Sequence, residues 1–250
     1  MKMIPVGVQL YSVREDCARD LPGVLAEVAK MGYTGVEFAG YHNFDAKSLR
    51  SLLDANGLQC CGAHIGLDQL LEDTLPRTID FHHTLGNRYL VVPSLPPERR
   101  SSRQAWLETA RLFAQIAEKL TPHGMLTGFH NHYIEFEALD GETGFDIFFS
   151  NTPQEVIMQL DIGHVLRAGA DPLVYLNRYP GRAVTIHLKE YSAANPKALL
   201  GEGDIPWKQV LELCESTART EWYIVEQESY AMPPLECIAR CRQALAAMGR

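Results

Sequence analysis

Eight runs of apolar, β-favouring residues recur along the chain with helix-patterned stretches between them, and this alternation limits the fold more than any other feature. The runs are Val6–Ser12, Gly35–Gly40, Gln59–Ile65, Arg88–Leu95, Leu126–His132, Val156–Ile162, Ala183–Glu190 and Trp222–Glu228. Over 250 residues this gives about 31 residues per strand-plus-helix unit, typical of parallel βα repeats. The runs are almost continuously apolar, as expected of strands covered on both faces. Between them, Leu21, Leu25, Val28 and Ala29 line one helix face and Gly32 follows as a stop. Leu49, Leu52 and Leu53 mark another, Trp106 to Leu120 a long third, Trp207 to Cys214 a fourth, and Leu235 to Leu245 close the chain. The count of eight predicts one α/β domain over residues 1–250, a (β/α)8 TIM barrel. An open dinucleotide-binding sheet would need a Gly-rich turn after its first strand, and YSVREDCARD has no GxGxxG.

Composition narrows the function. With 23 Lys and Arg against 31 Asp and Glu, the net charge is −8, and no basic stripe is present to replace counterions on a phosphate backbone. Nucleic acid is therefore an unfavourable partner. No apolar run approaches the roughly 20 residues that span a bilayer, so no membrane association is expected. The N-terminal MKMIPVGVQLYSVRED turns polar too soon for a secretory signal and reads as a first strand. Six cysteines without a CxxC pair read as reduced thiols of a cytoplasmic protein. His42, His82, His83 and His123 read as loop, surface or packing residues.

Chemistry collects at the C-terminal ends of the strands, which meet at one mouth in a parallel barrel. These ends carry Glu37, His64, His130 and His132, Asp161 with His164, His187 with Lys189 and Glu190, and Glu226 with Glu228. A charge inside an apolar strand is costly unless it is paired or bound to metal. Strand parity puts Gln159 with Asp161, Thr185 with His187 and Lys189, and Ile224 with Glu226 and Glu228. Three consecutive strands thus aim Asp161, His187 and Glu226 at one interior, and Glu135 extends the set. Such oxygen-rich donors with one imidazole suit one divalent metal, Mn, Mg, Co or Zn. Two long connections, Tyr133–Gly144 patterned as a hairpin and Tyr191–Ile205, are candidates for functional loops.

Seven segments in order carry a family resemblance: VGVQLYSVRED, MGYTGVEF, GFHNHYIEF, MQLDIGHVLRAG, PGRAVTIHLKEY, LLGEGDIPW and YIVEQES. With them the chain resembles the sugar phosphate isomerase/epimerase group of the xylose isomerase-like TIM barrels. The resemblance implies a small-molecule carbohydrate substrate and one divalent metal on Glu135, Asp161, His187 and Glu226. Some relatives place the first ligand nearer His130, where this chain reads HNH. It also implies substrate contacts from His64, His130, His132, His164 and Lys189, and closure of the mouth by Glu202. Relatives often form dimers or tetramers, so a homo-oligomer is expected. The implied reaction is proton transfer next to a carbonyl, with Glu135 and Glu226 as acid and base on opposite faces, as in a sugar isomerase or epimerase. Loss of a β-hydroxyl in the same site gives the alternative, a lyase or dehydratase on a keto-inositol or 3-keto-glycoside. A DNA-repair nuclease on the same barrel fits −8 poorly, and a non-catalytic sugar-binding module would need no metal.

Overall fold

The computed structural model describes residues 3–139 and 141–250. Eight parallel strands close into a barrel: β1 (Val6–Gln9), β2 (Gly35–Ala39), β3 (Gln59–His64), β4 (Tyr89–Val92), β5 (Leu126–His130), β8 (Val156–Asp161), β9 (Thr185–Leu188) and β10 (Trp222–Val225). Each pairs with the next, and β10 returns to β1 with Gly7 opposite Ile224. Around them lie α1 (Arg14–Lys30), α2 (Ala46–Ala55), α3 (Leu75–Leu85), α4 (Arg103–Leu120), α5 (Gly144–Ser150), α6 (Ile162–Arg167), α7 (Pro172–Arg178), α8 (Trp207–Ser216) and α9 (Pro234–Ala247). The remaining pair, β6 (Ala138–Leu139) and β7 (Glu142–Thr143), forms an antiparallel ribbon after β5. The expected hairpin is thus confined to 138–143, with Asp140 outside the described residues, and Tyr133–Phe136 forms a 3-10 turn instead.

Local signals account for the elements. Asp45 caps α2 by accepting from the Ser48 amide at 2.7 Å, and Ser102 caps α4 through the Ala105 amide at 3.1 Å. Gly86 ends α3 with φ of 77°, a left-handed conformation that a side chain would strain. The stripe on α4 places Trp106 and Phe113 against Phe129 of β5 and Phe148 of α5; the Phe113 and Phe148 rings meet edge to face at 5.0 Å. Most of the apolar core lies in this layer between strands and helices.

Every strand stops one to three residues before its apolar run does. At and just beyond the strand ends, side chains take over the backbone's polar groups. The Tyr11 amide donates to Gln9, the Asp161 amide to Asn131 and the Gln227 amide to Ser12. Among the described residues no helix is long and apolar enough to cross a membrane.

Candidate functional site

Three layers fill the barrel axis. At the floor, Cys61, Tyr89, Val91, Ile157, Trp222 and Ile224 form a small apolar cluster of their own. Gly35 makes room there, since a Cβ would stand 2.8 Å from the Trp222 ring. Above it lies a polar layer from strand positions two residues further on. Glu37 sits at its centre, with no exposed surface. Its carboxylate accepts from Gln9 at 2.8 Å and from Gln159 at 2.7 Å, and it meets His187 Nε2 at 2.6 Å. Gly62 opposite it has no Cβ, leaving the space that the carboxylate fills. The Gln159 amide also donates to Thr185 at 3.0 Å, so its oxygen is left to accept from His64 Nε2 at 2.6 Å.

The third layer, at the mouth, carries the chemistry. His130, Asp161, His187 and Glu226 each offer a donor atom, and these four atoms lie within 4.8 Å of one another, all in buried residues. His187 Nδ1 stands 3.0 Å from Glu226 and 4.0 Å from Asp161 Oδ2. Two buried polar atoms in this group, His130 Nδ1 and Asp161 Oδ2, have no hydrogen-bond partner. Leaving such atoms unpaired is expensive, so two of them in one buried donor group are the signature of a site built for something else. Two imidazoles and two carboxylates fit a divalent cation such as Mn, Co or Zn, and the carboxylates balance its charge. His187 already has the second carboxylate that orients a ligand imidazole, Glu37 on Nε2.

Electrostatics support this arrangement. Burial would lower the His187 pKa, but Glu37 and Glu226 outweigh it and raise it to about 10. Burial would raise Glu226, but Lys189 and His187 hold it well below the ordinary carboxylate range. Asp161 is raised to about 7 by burial and by Glu226, against Lys189 and His187. Burial drives His130 well down and takes His132 to about 4; His164 falls to about 2 through burial and Lys189. These three rings are neutral at pH 7.

The expected residues divide. Asp161, His187 and Glu226 converge, but Glu135 does not join them. It belongs to no cluster of potential metal donors among the described residues. In the 3-10 turn its carboxylate accepts from the His132 amide at 2.6 Å and closes a capping box. His130, expected as a substrate contact, takes the fourth position. His132 and His164 form a second cluster with His130, and His64 a third with His130 and His187. Lys189 lies 3.7 Å from Glu226 and 3.3 Å from His164, and it is paired with Glu228. Glu202, expected at the mouth, is exposed, and its carboxylate accepts from the Leu199 amide at 2.9 Å within its own loop. Two residues carry roles not expected of them, Glu37 in the polar layer and Glu228 beside Lys189. Glu37 had a signal, a lone carboxylate inside an apolar strand. A cavity of about 380 Å³ opens over the group, lined by Tyr11, His64, His130, His132, His164 and Glu226 among others.

Known proteins resemble this chain in sequence or in fold. Rhizopine catabolism protein MocC of Rhizobium meliloti is 24% identical, over 82% of this chain and 73% of its own. Inosose dehydratase of Glaesserella parasuis is also 24% identical, over 82% of this chain and 81% of its own. The crystal structure of a sugar phosphate isomerase/epimerase from Parabacteroides distasonis superposes with a TM-score of 0.85, covering 99% of this chain and 95% of that one at 23% identity. The sequence model for the xylose isomerase-like TIM barrel matches residues 25–247, a stretch that takes in seven of the eight barrel strands and all four donors at the mouth. The chain therefore belongs to the xylose isomerase-like TIM barrel family.

Proposed function

We propose that this protein is a divalent-metal-dependent lyase that dehydrates a keto-inositol or keto-sugar. The observation that carries the reading is the buried His130–Asp161–His187–Glu226 group, in which two polar atoms have no hydrogen-bond partner. Those four side chains would hold the ion, and the ion would supply Lewis-acid stabilisation of charge developing on the substrate carbonyl oxygen. Loading requires His187 to give up its Nδ1 proton, while Nε2–H stays on Glu37. Two carboxylates against a dication leave a formally neutral group, suited to a neutral polyol ketone.

Glu226 is ionised and takes the proton from the carbon next to the carbonyl. Lys189, 3.7 Å from it, gives a proton to the departing β-hydroxyl. The C–H and C–O bonds break, a C=C bond forms, water leaves, and the proton on Glu226 restores Lys189. An isomerase or epimerase with acid and base on opposite faces would use Glu135 and Glu226, but Glu135 is committed to the His132 amide. The name of one relative, inosose dehydratase, agrees with elimination.

The Mn²⁺-loaded protein, incubated with 2-keto-myo-inositol and with ketohexoses in deuterated water, tests this. Growth of enone absorbance is the expected result. Deuterium exchange without elimination would favour the isomerase or epimerase, and no exchange on any of these ketones would contradict the reading.

A further inference from the structure

A second cavity of about 440 Å³ adjoins the first along His164 and Glu228, which line both. Each is large enough for a small-molecule ligand by itself. Its other walls come from Arg167, Lys189, Glu190, Ser192 and Asn195, among others. One wall is the long Tyr191–Ile205 connection, and Glu190 holds that connection in place. The Glu190 carboxylate accepts from the Tyr191 amide at 2.9 Å, and from the Gly201 amide and the Trp207 indole at 2.7 Å each. Asp204 ties back to Ala193 at 2.8 Å, and the Asp204 amide to the Tyr191 carbonyl at 2.8 Å. The wall is therefore preformed and needs no ligand to order it.

Its chemistry identifies an occupant. The charged lining groups are Arg167 and Lys189 against Glu190 and Glu228, a balanced set that gives no net attraction for an anion. Lys189 is paired with Glu228, and Arg167 stacks on the Tyr133 ring at 4.0 Å. Ser192, Asn195 and Ser229 add neutral donors and acceptors beside apolar surface from Tyr191, Ala193, Pro196 and Ala198, a mixture that suits the hydroxyls and C–H faces of a sugar. A neutral hydroxylated unit fits this lining better than a phosphate or an apolar group.

Resting on the lyase reading above, we infer that the substrate is a glycoside of two units. The reacting keto ring occupies the inner cavity, and a second, neutral sugar-like unit occupies the outer cavity beyond the Lys189–Glu228 pair.

Calorimetric and saturation-transfer NMR titrations of the Mn²⁺-loaded protein test this, with D-glucose and myo-inositol as single-ring probes, maltose, cellobiose and trehalose as two-ring probes, and glucose 6-phosphate as the anionic one. At least one two-ring probe is expected to bind about tenfold or more tightly than glucose, worth about 1.4 kcal/mol. Ala193→Trp and Ser229→Trp, which crowd the outer cavity from two different loops, should remove that advantage and leave single-ring binding unchanged. Equal binding of one- and two-ring probes would overturn the inference, as would an advantage that survives both substitutions. Tighter binding of the phosphate that is lost in Arg167→Gln would overturn it in favour of an anionic substituent. Single-ring binding with no outer-cavity effect, or no binding of any probe, sinks the inference alone, whereas the lyase reading falls only with the absence of exchange on the ketones.

Discussion

Two buried histidines, one on the barrel axis and one in the helical ring, show what separates a reactive imidazole from a packed one. His187 and His82 are both almost wholly excluded from solvent, and both engage both ring nitrogens. His82 meets Tyr41 Oη at 3.1 Å and the Asn87 amide nitrogen at 2.9 Å, which are neutral partners. Burial alone then lowers its pKa to about 4. His187 meets Glu37 at 2.6 Å and Glu226 at 3.0 Å, and its pKa rises to about 10 despite equal burial. Burial is common to both; the charge of the partners sets the role.

The largest effect expected on the axial side is from Glu226→Gln. Turnover should fall about 10²–10⁴-fold in a protein whose circular dichroism and melting are those of a folded barrel. Retained turnover would remove Glu226 from the chemistry. Glu37→Gln keeps the shape but removes the charge behind His187, and should weaken metal binding about 10–100-fold in a competition titration. Unchanged affinity would show that Glu37 supports packing only.

The His82 side makes the opposite forecast. Its pKa is about 4 folded against 6.5 ordinarily, so the unfolded chain binds the extra proton more readily. Its contribution is complete above pH 6.5 and is lost as pH falls toward 4, on the order of 3 kcal/mol. Denaturant unfolding of wild type and His82→Gln across pH 4–7 checks this: the pH slope should flatten in the variant, with its kcat near wild type. An unaltered slope would break the comparison. The smallest effect belongs to Glu135→Gln, which leaves the ion donors intact and weakens one cap. We expect less than tenfold loss of kcat and about 1 kcal/mol of stability.

The fold was legible because each barrel strand is covered on both sides and so writes itself as an apolar run. Asp161, His187 and Glu226 were legible by parity, since a side-chain period of two fixes the face once the strand is known. His130 shares an inward face with Gly128, but glycine leaves no mark of facing, and the resemblance pointed to the carboxylate at Glu135. Whether Glu135 returned to the axis depended on how the chain turned after β5, and the 3-10 turn there took it to the His132 amide. Glu37 was visible as a strand end, but its partners come from β1, β8 and β9 and meet only when the barrel closes.

Metal stoichiometry in ligand variants tests the central claim most directly. Protein stripped with chelator and titrated with Co²⁺ should take up one ion per chain, with ligand-field absorbance. Glu135→Gln should retain that uptake, and His130→Ala should lose it. Loss of the ion in Glu135→Gln with retention in His130→Ala, or no uptake by the unaltered chain, would contradict the account.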